Sequence, residues 1–292
     1  MVPSIMAALA LGAGACSKDT LVGRRLLALK ADDFRIVSAT DREHILRVLV
    51  ACAGVDDPVF RDEVGYGGFS AILRRDPVAA DAITALFGSV SDAMNDALGR
   101  SSFAASFLPL YLAEIVRVDR VRPFLSDRQR SDAAALAARY LAAVRDYRGF
   151  EPEEGWRHQL AHTADLVLQL ALNPKLDDAD RTMLASAILN KVASPGAPAL
   201  THGAPERLAR AYLYAVHRSD LGPAEIRGAL EGLSDDRLRG VADGGIGDGD
   251  TLARLHNIKA FLAGIIIPLA DQSDERLAAL RAEALRVHRA LP

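Results

Sequence analysis

Cysteine is almost missing from this chain of 292 residues, with Cys16 and Cys52 the only two, so no disulfide framework is expected to hold the fold together. Long apolar runs are missing as well. The longest, residues 260–270, carries Pro268 inside it and falls well short of the ~20 residues that a membrane-spanning helix requires. Excess charge of either sign is absent: the net charge is −3, and arginines alternate with acids through Arg117, Asp119, Arg120, Arg122, Asp127, Arg128, Arg130 and Asp132. A nucleic-acid partner, which needs a basic patch, is therefore excluded. Aromatics make up only 5% and β-branched runs are few, which argues against sheets.

What remains is a chain rich in alanine and leucine, half apolar and a quarter charged, a balance suited to helices that bury a large core. Capping and breaking residues place helices near 41–53, 57–76, 78–98, 103–121, 126–147, 152–172, 177–192, 204–218, 249–270 and 273–290. Short breaks between segments of this length imply antiparallel neighbours. The expected fold is all-α, with stacked antiparallel helix pairs forming an α-solenoid of HEAT-like type or an α-α superhelix. Residues 18–292 are expected to form a single helical domain, with 194–205 (SPGAPALTHGAP) as a linker where it could subdivide. The stretch 240–250 (GVADGGIGDGD) has glycines and aspartates but not the spacing of a calcium loop, so a plain loop is expected.

Residues 1–15 are uncharged and end in small residues just before Cys16, and charge appears immediately afterwards at Lys18 and Asp19. This reads as an export signal over 1–17, and Ala13-Gly14-Ala15-Cys16 resembles a bacterial lipobox with Cys16 as the site of lipidation. The expected address is periplasmic or membrane-anchored through Cys16. The alternative is a cytoplasmic protein whose first helix is apolar. Cys52 lies in an apolar stretch and reads as a small core residue.

Residues 151–173 (EPEEGWRHQLAHTADLVLQLALN) carry the chemistry. At 100° per residue, His158, His162, Asp165 and Gln169 fall in one narrow sector of a helix that is otherwise apolar. A thin polar line on a helix fit for burial points to a cleft or a buried polar network. Two imidazoles one turn apart with a carboxylate three residues later could hold a divalent ion such as zinc, although Gln159 stands where a zinc protease needs glutamate. The bland alternative is a pair of neutral histidines that only specify packing.

Further members of a site would come from Asp62, Glu63 and Tyr66, candidates for catalytic roles, and from Asp146, Arg148 and Trp156 as ligand-binding residues. Each has a plainer reading. The first group could be a solvated helix turn, Asp146 with Arg148 a surface pair, and Trp156 an anchor for the helix start. His202 falls in the Pro/Gly linker, and His256 could stand on the rim of the same cleft.

The block Tyr140 to Leu166 resembles the signature of the bacterial domain of unknown function 2785 family: a D-x-R-G segment followed by G-W-x-H-x-x-A-H-x-A-D. Asp146, Arg148, Gly149, Gly155, Trp156, His158, Ala161, His162, Ala164 and Asp165 match it. RDEVGY at 61–66, RSSF at 100–103 and HNIKAFL at 256–262 resemble its other blocks, whereas Val144 departs from an acid often found there. The resemblance implies an all-helical, HEAT-like protein and supplies no activity. Three functions follow from the residues. One is a helical binding protein whose cleft at His158, His162 and Asp165 takes a small ligand or a protein segment. Another is a metal-assisted hydrolase using those three as ligands with Asp62 or Glu63 as base. The third is a structural scaffold.

Overall fold

Serine, threonine or aspartate opens most helices here, each side-chain oxygen accepting from a backbone N–H that the first turn leaves unpaired. Ser102 caps α5 and Asp248 caps α11, and Ser126 forms a reciprocal capping box with Gln129 at α6. The computed structural model describes residues 14–234, Leu238 and 248–292. Among the described residues the α-helices are α1 Leu21–Ala31, α2 Ala39–Ala51, α3 Gly67–Arg75, α4 Ala80–Asp96, α5 Phe103–Val121, α6 Asp127–Ala143, α7 Gln159–Ala171, α8 Asp178–Val192, α9 Ala204–His217, α10 Pro223–Glu231, α11 Gly249–Ile266 and α12 Glu275–Ala290. A 3-10 turn, Cys52–Gly54, and a π-helix, Val59–Tyr66, lie between α2 and α3. Strands β1 Phe150–Glu151 and β2 Gly155–Trp156 pair antiparallel ahead of α7.

Among the described residues the fold is all-helical apart from that hairpin. Helices α5, α7, α9 and α11 touch in succession, as do α4, α6, α8 and α10 behind them, with α4 on α5, α6 on α7 and α8 on α9 joining the two rows. Helix α7 is thus enclosed by α5, α9, α6 and α8, which explains why Leu166, Val167, Leu170 and Ala171 are all buried. The stretch 240–250 lies outside the described residues up to 247, as does the start of the chain up to residue 13.

Three expectations need correction. The segment 152–172 is not one helix: Pro152 to Glu154 form the tip of the hairpin and α7 begins only at Gln159. A proline followed by two glutamates imitates a helix start, but Gly155 sits at φ +77°, and the carbonyl of Glu154 is taken by the guanidinium of Arg61 at 2.9 Å, so tertiary contacts override the local signal. The segment 57–76 changes from π-helix to α-helix at Gly67, and α1 and α10 were not expected at all.

The third correction concerns the cysteines. Cys16 and Cys52 are buried and joined by a disulfide across 36 residues. A sulfur bonded in this way has no valence left for a thioether to lipid, so lipidation at Cys16 and this fold exclude one another. The bond fixes the N-terminal segment to the 3-10 turn, where Thr20 Oγ1 also donates to the carbonyl of Ala15 at 2.9 Å.

Candidate functional site

The cleft is built where two helices start and a third carries a proline inside it. Pro109 interrupts α5; lacking an N–H, it cannot serve the carbonyl of Ala105, which instead accepts from the hydroxyl of Tyr140 at 2.8 Å. The next carbonyl, Ser106, meets Nδ1 of His162 at 2.9 Å. Helix α7 opens with His158 in the left-handed conformation at φ 47°, and α9 is preceded by His202 at φ 54°. Such a backbone costs a non-glycine residue about 1–2 kcal/mol and persists only where the surroundings impose it. Here it is found at two histidines that face the same hollow.

That hollow has a volume of about 490 Å³. The π-helix contributes Asp62 and Tyr66, α5 contributes Phe107 and Leu110, and Trp156, His158, His162, Asp165, His202 and Arg207 complete the wall. The indole of Trp156 lies over His158 with ring centres 4.3 Å apart, and His162 stands edge-on to both His158 and Phe107 at 5.6 and 5.0 Å. A π-helix at such a wall fits the general association of this rare element with functional positions.

Burial dominates the titration of these groups. It lowers His158 to about 4 and His162 to about 3, with the positive charge of Arg207 adding to both effects, so both rings are neutral near pH 7. Burial also pushes Asp165 up to about 6, although Arg207 donates to its Oδ2 at 2.7 Å and opposes the shift. Tyr66 is raised to about 12 by burial and by the neighbouring carboxylate of Glu114, to which its hydroxyl donates at 3.3 Å. Glu114 is itself held by Arg74 and Arg117.

The structure brings together most of the residues that the sequence singled out. His158, His162, Asp165, Asp62, Tyr66 and Trp156 all line the cleft. Trp156 is 40% exposed, so it does not anchor a helix in the core but stands at the rim. Glu63 is elsewhere, exposed and paired with Lys30. Asp146 and Arg148 are also outside the wall: Arg148 donates to both carboxylate oxygens of Asp146 at 2.9 and 2.6 Å, bracing the base of the hairpin. Burial raises Asp146, but these bonds outweigh it and hold the carboxyl below its usual range. His256 meets the carbonyl of Leu200 at 3.4 Å and is not part of the cleft wall. Gln169 lies too far along α7 to reach the cleft wall.

Phe107, Leu110, His202 and Arg207 are the members that sequence reasoning missed, the last two being the polar ones. Residues 194–205 are pinned to the fold by Asn257, which accepts from the Leu200 N–H at 2.7 Å and donates to the Pro198 carbonyl at 3.0 Å. In the fold a Cβ at Gly149 would stand 2.2 Å from the His202 ring, a closeness that only the tertiary structure reveals. Arg207 is one of two arginines on α9, and nothing local distinguishes it. Among the described residues no three His, Cys, Asp or Glu side chains are placed to hold a metal ion. His158, His162 and Asp165 therefore do not form the zinc-type site suggested by their spacing.

These features define an all-helical protein with an aromatic and polar cleft at the start of a buried central helix. The chain belongs to the family described as "Protein of unknown function (DUF2785)", which matches residues 86–269. The match covers α5 to α11 and every cleft residue except Asp62 and Tyr66, and it begins after the RDEVGY block that resembled the family. No curated protein and no solved structure matches the chain.

Proposed function

We propose that the protein is a binding protein whose cleft at His158, His162 and Asp165 takes a small organic ligand. The observation that carries this is the unpartnered Nε2 of His158, a buried polar atom on the wall of a hollow large enough for a metabolite. A packing network would satisfy that nitrogen within the protein, whereas a binding site leaves it for the ligand. For the metal-assisted alternative, Glu63, one of its two proposed bases, is exposed, paired with Lys30 and not part of the cleft wall. The two rows of helices are read as an α-solenoid of HEAT-like type, with the cleft on the row formed by α5, α7 and α9.

The only tryptophan of the chain stands at the rim and reports occupancy directly. Titration with a panel of metabolite-sized anions, cations and neutral compounds should give a saturable change in Trp156 emission for at least one of them. Asp165→Ala should abolish it, while the remote variant Arg128→Ala should not. If no compound of any charge type gives saturation, the scaffold reading takes over. Export is proposed on the disulfide, since such a bond persists in oxidising compartments. Localisation of the full chain would test it, and a cytoplasmic pool with free Cys16 and Cys52 thiols would sink it.

A further inference from the structure

The chemistry of the ligand can be read from the hydrogen-bonding capacity that the fold leaves unused, on the understanding that the cleft is a binding site at all. A backbone carbonyl only accepts, so the short contact between His162 and Ser106 places the ring proton on Nδ1. In the neutral ring Nε2 is then a bare lone pair, and it has no hydrogen-bond partner. Nε2 of His158 is buried on the same wall with no hydrogen-bond partner, so it is an open hydrogen-bonding position for whatever enters.

The carboxylates add to the count. Oδ1 of Asp62 accepts from Arg61 at 2.8 Å and Oδ2 of Asp165 accepts from Arg207, leaving one free oxygen on each. The hydroxyl proton of Tyr66 is committed to Glu114, so its oxygen also faces the cleft as an acceptor. Donors are few. Arg61, although close, is fully buried and spends its N–H groups on Asp62, Val55, Asp56 and Glu154. Arg207 commits one N–H to Asp165 and, with the indole N–H of Trp156, is the donor side of the wall. An anion entering this space would have to reach those donors past two carboxylates and the lone pair of His162. A cation would meet acceptors on several sides, with Trp156, Phe107 and Tyr66 supplying faces that attract positive charge.

We propose that the cleft recognises a small organic cation, an amine or amidine with an apolar body, whose N–H groups donate to Nε2 of His158 and His162 and to the free oxygens of Asp62 and Asp165. Arg207 tunes this preference by neutralising half of the Asp165 carboxylate.

The test uses three probes of one shape: benzamidine, benzoate and benzyl alcohol. Each is titrated into the full chain while following Trp156 emission and the ¹⁵N resonances of the imidazole nitrogens. Before any probe is added, Nε2 of His158 and His162 should resonate as unprotonated nitrogens. Benzamidine should shift both and bind at least tenfold more tightly than benzoate or benzyl alcohol. Asp165→Asn, which removes a carboxylate and frees Arg207, should narrow or reverse that order. Tighter binding of benzoate or benzyl alcohol with the same resonances perturbed overturns the cation assignment and leaves the binding site standing. Protonated Nε2 atoms in the free protein also overturn it. If none of the three probes moves either the emission or the resonances, the cation assignment and the binding reading fail together.

Discussion

His162 is constrained from two sides, by the carbonyl of Ser106 and by the ring of Phe107, and these constraints make its charge state a property of the fold. Replacing it with alanine removes that bond and leaves a ring-sized hole, at a cost of about 3 kcal/mol, seen as a lower denaturation midpoint in urea. The effect of pH has a definite sign. Unfolded histidine takes a proton near pH 6.5, while folded His158 and His162 refuse it until about 4 and about 3. Over that window the unfolded chain binds more protons, so stability present above pH 6.5 is lost as the pH falls. Asp165 acts the other way: its carboxyl, raised to about 6 from 3.8, holds a proton that the unfolded chain has released. Two histidines against one aspartate leave a net loss on acidification, with a slope of about 1.4 kcal/mol per pH unit for each uncompensated proton. Urea midpoints that stay flat or rise between pH 6.5 and 4.5 would show that the rings are not neutral in the fold.

Among the elements, the hairpin and the segment before α9 meet at one point, Gly149 against His202. Gly149→Ala should push the His202 imidazole away from its place beside Trp156, 6.1 Å between ring centres, and so change the emission of the free protein before any ligand is added. Unchanged emission would mean that the two elements do not fix one another. Gly155 is constrained for a different reason. Its φ of +77° and the Arg61 Nη2 atom 3.1 Å from where a Cβ would stand make Gly155→Ala destabilising by about 1–2 kcal/mol, measurable by thermal unfolding. Pro109 leaves the Ala105 carbonyl without its helical donor, and that carbonyl holds Tyr140, one residue before the carbonyl that meets His162.

For the whole molecule, the disulfide has the largest single consequence. Closing a loop of 36 residues stabilises the folded chain by about 3–4 kcal/mol in the chain-entropy account. Reduction, Cys16→Ala and Cys52→Ala should therefore lower the unfolding midpoint by similar amounts, and reduction should have no further effect on either variant. A midpoint insensitive to reductant would mean that the thiols are free. The same cross-link holds the turn that packs on the π-helix: a Cβ at Gly65 would lie 2.9 Å from Cβ of Cys52. The covalent staple and one wall of the cleft are therefore contiguous.

The chain's own pattern of leucine, alanine and capping residues determined that it is all-helical, and placed α5 at 103–121 and α9 within a residue of its true end, because helix signals are local. It also determined that a polar line ran down an apolar helix, since a 3.6-residue period needs no tertiary knowledge. Only the tertiary structure decided where that line begins, what stands across from it and what charge it bears. The hairpin at 150–156 exists because Arg61, some ninety residues earlier, claims a carbonyl at its tip. Arg207 joins the cleft because α9 packs on α7, and the histidines are neutral because neighbouring helices exclude water from them. Those contacts join residues far apart in the chain, and no local pattern records them.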